Sequence, residues 1–177
     1  MDFVFVVDHS ASMLNTTKVN NDTYPRTFIT NDIIVSLTKT LLNVENVEGA
    51  EGYRNRVAIV GFGTNTSNPT WTLGFTEKSN YQDIEDALWE HPIINEQLTN
   101  YNAGLQAAYN LIDGRTDKRR TPIVIFLSDG SPTDGNTGTE EARNLRKIGA
   151  YVIPIGIYLA QNDTQALNYL KAISHNY

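Results

Sequence analysis

Hydrophobic residues fall along this chain in alternating blocks of two kinds. Short unbroken runs stand at Phe3-Val4-Phe5-Val6-Val7, Val57-Ala58-Ile59-Val60-Gly61-Phe62, Pro122 to Leu127 and Tyr151 to Ile157. Such runs, rich in β-branched and aromatic residues, predict strands covered on both faces, as parallel sheets require. Between them apolar residues recur three or four positions apart. Ile33, Ile34, Leu37, Leu41 and Leu42 do so from about Phe28 to Asn43, and Leu105, Ala108, Tyr109 and Ile112 within Asn102 to Ile112. That spacing predicts amphipathic helices, with others over Tyr81 to Trp89, Thr139 to Ile148 and Thr164 to Ile173. Gly149 is placed as the C′ residue of the fourth helix. Trp71-Thr72-Leu73 predicts a short edge strand, whereas Leu14 to Phe28 is polar and rich in Asn.

Strands alternating with helices at these lengths predict right-handed crossovers. The expected fold is α/β: a doubly wound, mostly parallel central sheet flanked by helices on both faces. In that architecture the loops at the carboxyl ends of the strands line the ligand crevice. A length of 177 residues supports one such domain, residues 1–177, without need of a second. No internal repeat, low-complexity tract or linker interrupts it.

Composition narrows the class. The net charge of −6 gives no electrostatic footprint for nucleic acid. The basic triplet Lys118-Arg119-Arg120 reads as a solvated connector. With no cysteine the chain has no disulfide, thiolate zinc site or cysteine nucleophile. That leans toward a cytosolic protein or a bacterial surface protein. No apolar run approaches the roughly 18 residues of a membrane helix. Met1-Asp2-Phe3 enters a strand pattern directly, so any targeting segment is expected outside this sequence. The N-x-S/T triplets at Asn15, Asn21, Asn65 and Asn162 read as chance in so Asn- and Thr-rich a chain.

Three separated segments bring oxygen-bearing side chains to the expected rim. Asp8, Ser10 and Ser12 follow the first strand, Thr99 precedes the Asn102 helix, and Asp129 follows the Pro122 to Leu127 strand. Two carboxylates and three hydroxyls suit a hard cation such as Mg²⁺, bound at about 2.0 to 2.1 Å in an octahedron completed by water. Mn²⁺ and Ca²⁺ are the substitutes. With few anionic ligands the ion stays electrophilic, and a carboxylate from another molecule can enter its open position.

These residues resemble a known family. Asp8-x-Ser10-x-Ser12 after an apolar strand, Thr99-Asn100-Tyr101 leading into Ala103-Gly104-Leu105, and Leu127-Ser128-Asp129-Gly130 look like the metal-ion-dependent adhesion site of von Willebrand factor A domains. Arg56 to Phe62 and Val152 to Ile157 are similar to that family's second and late strands. The Asp-x-Ser-x-Ser pattern alone is weak; the three motifs in this order are specific. The resemblance implies that Ser10, Ser12 and Thr99 coordinate the metal directly and that Asp8 and Asp129 act largely through water. It also implies a last short strand and a C-terminal helix, a segment expected to be missing, degenerate or supplied elsewhere. Among members of the family, the Asn/Thr-rich, cysteine-free character is most similar to Gram-positive pilus-tip and wall-anchored adhesins. The implied partner is then a host or matrix protein presenting an Asp or Glu, and the implied setting is the cell surface.

Two other functions compete. One is an intracellular member of the same family that assists an ATPase in metal insertion or complex remodelling. The other is a metal-dependent phosphotransferase with Asp8 as nucleophile, but Ser10 stands where such enzymes carry a second carboxylate, so the general acid is missing. No Walker A, G-x-S-x-G or H-E-x-x-H motif is present, and the chain is read as a binding module, not an enzyme. Of the remaining candidates, Asp134 is either a turn residue or a group that tunes the metal. His9 is expected to point away from the ion, and His91 and His175 to lie at the surface. Trp71 and Trp89 are expected to pack, while Tyr101 is open between ligand contact and core.

Overall fold

A computed structural model describes residues 1–42, 55–63, 71–76, 81–91, 98–133, 135–159 and 163–175. Most of the connector 46–55, the loop 64–69, Asp134 and the triplets at Asn65 and Asn162 lie outside those residues. The chain runs β1 (Asp2–Asp8), a 3₁₀ turn (Ala11–Leu14), β2 (Thr16–Val19), β3 (Asp22–Pro25), α1 (Arg26–Leu42), β4 (Arg56–Phe62) and β5 (Trp71–Thr76). It continues through α2 (Tyr81–Glu90), α3 (Tyr101–Gly114), β6 (Pro122–Ser128), α4 (Thr139–Lys147), β7 (Tyr151–Gly156) and α5 (Thr164–Ile173). Every expected strand and helix is present within a few residues of its expected bounds.

The main sheet has the order β5-β4-β1-β6-β7, parallel except for β5, which runs antiparallel to β4. All seven residues of β1 are buried, because this central strand has a neighbour on each edge and helices on each face. Successive side chains of a strand point to opposite faces, and the core divides accordingly. Phe3, Phe5, Val7, Val57 and Ile59 pack with Ile34 and Val35 of α1 and Ile84 and Leu88 of α2. Val4, Val6, Ala58, Val60 and Phe62 pack on the other face with Tyr101, Leu105 and Ile112 of α3, and with Leu145 and Leu170 of α4 and α5.

Two glycines make this packing possible. A Cβ on Gly104 would stand 2.8 Å from Val6 Cγ1 and 2.9 Å from the Phe62 ring, so α3 lies against the sheet at a distance only glycine permits. Gly149, at φ +81, ends α4 as expected: its N–H donates to Arg146 O and that of Ala150 to Leu145 O, the paired bonds that close a helix C-terminus.

The amino ends of the strands are clamped by charge. Asp2, fully buried, accepts two parallel bonds from Arg56 (2.9 and 2.8 Å) and one from Arg115 (2.9 Å). The basic triplet, expected to be a solvated connector, is solvated only in part. Arg119 is exposed, but the Arg120 side chain is only 10% exposed and stands 4.0 Å from Asp2, drawn in by the buried carboxylate.

The polar stretch Leu14 to Phe28 supplies the other departure. It folds into an antiparallel hairpin of β2 and β3, with Asn20 at φ 59 in its turn, outside the main sheet. Pro25 leads directly into α1, and Arg26 N–H donates to Asn15 O across the base of the hairpin. The hairpin thus rises at the carboxyl end of β1, beside the crevice between β1, whose chain continues to β4 on one side, and β6, whose chain continues to β7 on the other. In doubly wound sheets that crevice is the ligand site.

Candidate metal centre

The end of β1 delivers Asp8 to the rim with none of its surface exposed. Its Oδ1 accepts from Ser10 N–H (2.8 Å) and its Oδ2 from the Ser128 hydroxyl (2.6 Å). Ser10 then begins the 3₁₀ turn, closed by Met13 N–H donating to Ser10 O. Met13 is completely buried in the core below and plugs the turn in place. This turn sets the two serine hydroxyls side by side at 2.9 Å, and Ser12 donates onward to Asp129 Oδ1 at 2.7 Å. Residues 117 positions apart in sequence are therefore in direct contact.

Thr99 precedes α3 and is buried. Its tie to the rim runs through backbone: Thr99 N–H donates to the Thr133 hydroxyl and Thr133 N–H to Thr99 O, both at 3.0 Å. Asn100 caps α3 by accepting from Ala103 N–H, which fixes where Thr99 leaves the helix. Asp8, Ser10, Ser12 and Asp129 are thus linked by hydrogen bonds directly or through one another, while Thr99 is bonded to Thr133 and to none of these four.

Three further residues, none of them among the expected metal ligands, organise the site. Ser128 donates to Asp8, and the Tyr101 hydroxyl donates to Gly130 O at 2.6 Å and lies 3.3 Å from Ser128 Oγ. Tyr101 is fully buried, with its ring edge-on to Phe126 at 4.6 Å, so it supports the floor and does not meet a ligand. Arg26 is the third. Its Nη1 donates to Asp129 Oδ2 at 2.6 Å, while the Asp129 side chain is only 1% exposed. A cation in the first turn of a helix is disfavoured by the helix dipole. Arg26 stands at the start of α1 all the same, held there by Asp129.

Burial of the carboxylate pushes Asp8 up to about 6; the Ser128 and Ser10 hydrogen bonds oppose that rise and the Asp129 charge adds to it. His9 is buried and points into the apolar side, its ring edge-on to Trp71 at 5.4 Å. Burial, reinforced by His91, pushes it down to about 4 and keeps the imidazole neutral. The two carboxylates are opposed by the single guanidinium of Arg26.

The donor set fits a small octahedral cation. Oxygens at about 2.1 Å from a central Mg²⁺ lie about 3 Å from their nearest fellow ligands, and the Ser10 and Ser12 hydroxyls are already spaced at 2.9 Å, with Asp129 hydrogen-bonded to Ser12 behind them. No cluster of three or more His, Cys, Asp or Glu occurs among the described residues, so hydroxyls must complete any such shell.

The family model for the von Willebrand factor type A domain matches residues 2–177. The chain belongs to this family. No curated protein sequence shows significant similarity to this von Willebrand factor A domain. Among solved structures it is similar to the pilus adhesin SpaC from Lactobacillus rhamnosus GG, in its open conformation (TM-score 0.73, 18% identity, 98% of this chain and 26% of that one). It is also similar to proximal thread matrix protein 1 from the mussel byssus with a zinc-occupied MIDAS motif (TM-score 0.67, 22% identity, 98% and 38%). A mutant of the PilB minor pilin from Streptococcus sanguinis is a third (TM-score 0.67, 15% identity, 97% and 53%). At these identities the likeness shows the shared fold. The domain spans between about a quarter and a half of the length of these relatives.

The aromatic candidates resolve as follows. Trp71 packs in the core and stacks on the exposed His91 at 4.7 Å, while Trp89 is 44% exposed and leans on Phe28 at 5.1 Å. His175 lies against Tyr151 at 4.3 Å. No helix among the described residues is long and apolar enough to cross a membrane.

The raised Asp8 pKa carries a stability consequence with a definite sign. The folded, metal-free form holds the Asp8 proton more tightly than the unfolded chain, whose pKa is near 3.8. This group therefore weakens the fold as pH rises from about 4 to about 6, by about 3 kcal/mol at neutral pH. Asp8→Asn removes the buried charge and keeps the shape. In excess EDTA at pH 7.5, urea unfolding should show Asp8→Asn more stable than the native chain by about 1 to 3 kcal/mol, with the gap closing toward pH 4. A variant less stable at pH 7.5 would contradict the assignment of burial as the dominant effect.

Proposed function

We propose that this domain is a metal-dependent protein-binding module in which Asp8, Ser10, Ser12, Thr99 and Asp129 hold one Mg²⁺. The observation that carries the reading is the pair of Ser10 and Ser12 hydroxyls, 2.9 Å apart as neighbouring ligands of a small octahedral ion would be, with Ser12 oriented by its hydrogen bond to Asp129. Mn²⁺ is the natural substitute and Ca²⁺ a poorer fit, because ligands at its longer bond lengths spread further apart. When bound, the ion supplies an electrophilic position open to an incoming oxygen. Ser10 and Ser12 act as neutral direct ligands and Thr99 as a third, while Asp8 and Asp129 act largely through water and orient the hydroxyls.

Charge supports a carboxylate as the group that is gripped. Asp8 and Asp129 contribute two negative charges and Arg26 one positive; with a divalent ion the site carries one net positive charge, which a single Asp or Glu of a partner neutralises. Excluded from water, such a contact is far stronger than a surface ion pair. Function here is binding, not catalysis, since Ser10 gives no second carboxylate beside Asp8 to act as general acid.

The similar structures include two pilus proteins and a byssus protein, which supports a place outside the cell, at its surface or wall, and a host or matrix protein as partner. We take residues 1–177 as one domain.

Calorimetric titration should show one Mg²⁺ per chain, and a surface coated with a capped Gly-Asp-Gly peptide should retain the domain in Mg²⁺ and release it in EDTA. Asp129→Ala should abolish both, and Thr99→Ala should weaken retention by about 1 to 3 kcal/mol, because water can replace one hydroxyl. Retention unchanged in excess EDTA would sink the mechanism. A separate outcome is expected for Arg26→Gln. With the guanidinium charge gone, Mg²⁺ affinity should rise about three- to tenfold while retention on the peptide falls; a drop in Mg²⁺ affinity would show that Arg26 only props Asp129 in place.

A further inference from the structure

Leu14, Val19, Phe28 and Trp89, exposed to between 37% and 46%, stand together beside the metal centre. Two hollows join them. The first, of 240 Å³, has Leu14, Phe28 and Trp89 in its lining together with the polar Thr27, Asn31 and His91. The second, of 330 Å³, is formed by Val19, Tyr24, Phe28, Ile29 and Asp32. Phe28 lines both, and its ring stacks on Tyr24 at 5.5 Å and leans on Trp89 at 5.1 Å. A row of aromatic rings held by one another marks a contact surface, whereas single exposed apolar residues do not. The row is continuous with the site: Leu14 ends the turn that carries Ser12, and Tyr24 and Phe28 lie two residues to either side of Arg26, which holds Asp129.

One helical turn away from the row the surface becomes acidic. Residues three or four apart on a helix share a face, which places Asp32 next to Phe28 on α1, and Glu85 and Asp86 next to Trp89 on α2. The hairpin, α1 and α2 together carry six carboxylates against Lys18 and Lys39, because the remaining cation, Arg26, is paired with Asp129. Lys39 lies three turns beyond Phe28, over the Tyr81 ring, and α2 has no Lys or Arg at all. Asp32 stands six residues beyond Arg26, about 9 Å along the helix. An extended chain covers that span in about three residues.

We infer that the aromatic row and its acidic border read the partner segment that presents the carboxylate to the metal. That segment carries a large apolar side chain beside its Asp or Glu, and a Lys or Arg about three to five positions from it. The inference rests on the metal-carboxylate reading for its anchor, and on the row and the charges for what surrounds that anchor. An apolar side chain laid on Phe28 and Trp89 removes their exposed surface and its own from water. In the far position a second acidic side chain would meet Asp32, Glu85 and Asp86 as like charges, whereas a basic one complements them. Aromatic rings also stack on sugars, but a neutral sugar offers nothing to match the acidic border.

Capped peptides of one Asp among glycines, compared by fluorescence anisotropy in Mg²⁺, test this. Leu, Phe or Ala is scanned one to three positions on either side of the Asp, and Lys or Glu three to five positions from it. At the best offset Leu or Phe should bind about tenfold tighter than Ala. Lys should bind about three- to tenfold tighter than Glu at low salt, a preference that shrinks in 0.5 M NaCl. Phe28→Ser and Trp89→Ser should each remove most of the apolar gain, and Asp32→Asn combined with Asp86→Asn the preference for Lys, while Mg²⁺ affinity by calorimetry stays that of the native chain. Leu, Phe and Ala peptides of equal affinity at every offset, or a gain that survives both serine variants, overturn the apolar contact; Glu equal to Lys at low salt overturns the basic one. A peptide baseline indifferent to Mg²⁺ brings down the carboxylate reading and this inference with it. A Mg²⁺-dependent baseline that no neighbouring residue improves brings down this inference alone. Tryptophan fluorescence that responds to maltose or cellobiose and to none of the peptides reassigns the row to a glycan.

Discussion

A carboxylate sits at the end of the most deeply buried strand in the molecule, and the rim of the sheet is arranged around that charge. Asp8 continues a strand whose six preceding residues are all buried, so it cannot reach water without breaking the register of β1 with β4 and β6. Two donors, Ser10 N–H and the Ser128 hydroxyl, make its burial tolerable. Satisfying those bonds determines the rest. Ser10 must turn back, the 3₁₀ turn follows, Met13 drops into the core, and Ser12 arrives against Asp129. Ser128 in turn fixes the end of β6 and is steadied by Tyr101 from α3. The site is thus a consequence of how the central strand ends, with three elements tied to one carboxylate.

Hydrogen bonds alone leave the charge incompletely answered, as the rise of Asp8 to about 6 indicates. Arg26 answers part of it, by pairing with Asp129. It comes from the base of the hairpin that the sequence carries between the metal motif and α1, and that hairpin also supplies Pro25 and the approach to Phe28. One insertion therefore places both a cation and an apolar wall beside the same rim. A binding surface that costs stability in its empty state and recovers it on occupancy is common at functional sites, and the balance of charge here is suited to a divalent ion followed by one carboxylate.

Much of this was legible in the residue order. Unbroken runs such as Phe3 to Val7 can only be strands covered on both sides, and the helical stripes between them leave one architecture. The site motifs were readable because each falls where a strand ends or a helix begins. What escaped was set by partners distant in sequence. Thr16 to Pro25 has no apolar face to reveal its strands, since the hairpin stands outside the sheet and covers little core. Arg26 and Ser128 look like ordinary surface and strand-end residues until Asp129 and Asp8 are placed beside them. Tyr101 was ambiguous because nothing in its neighbours says which way an aromatic at a helix start will turn; the stacked rings of Phe62 and Phe126, which it meets edge-on, decide it. Arg120 was read as solvated for the same reason, its buried partner Asp2 being the length of a domain away in sequence.

The central claim is that the side chains of Asp8, Ser10, Ser12, Thr99 and Asp129 surround one cation. Crystals grown in Mn²⁺, with diffraction recorded at the manganese absorption edge, address it without reference to any ligand. The account predicts a single strong anomalous peak within bonding distance of the Ser10 and Ser12 hydroxyls. A map with no peak there, and with Arg26 alone answering Asp129, would contradict it.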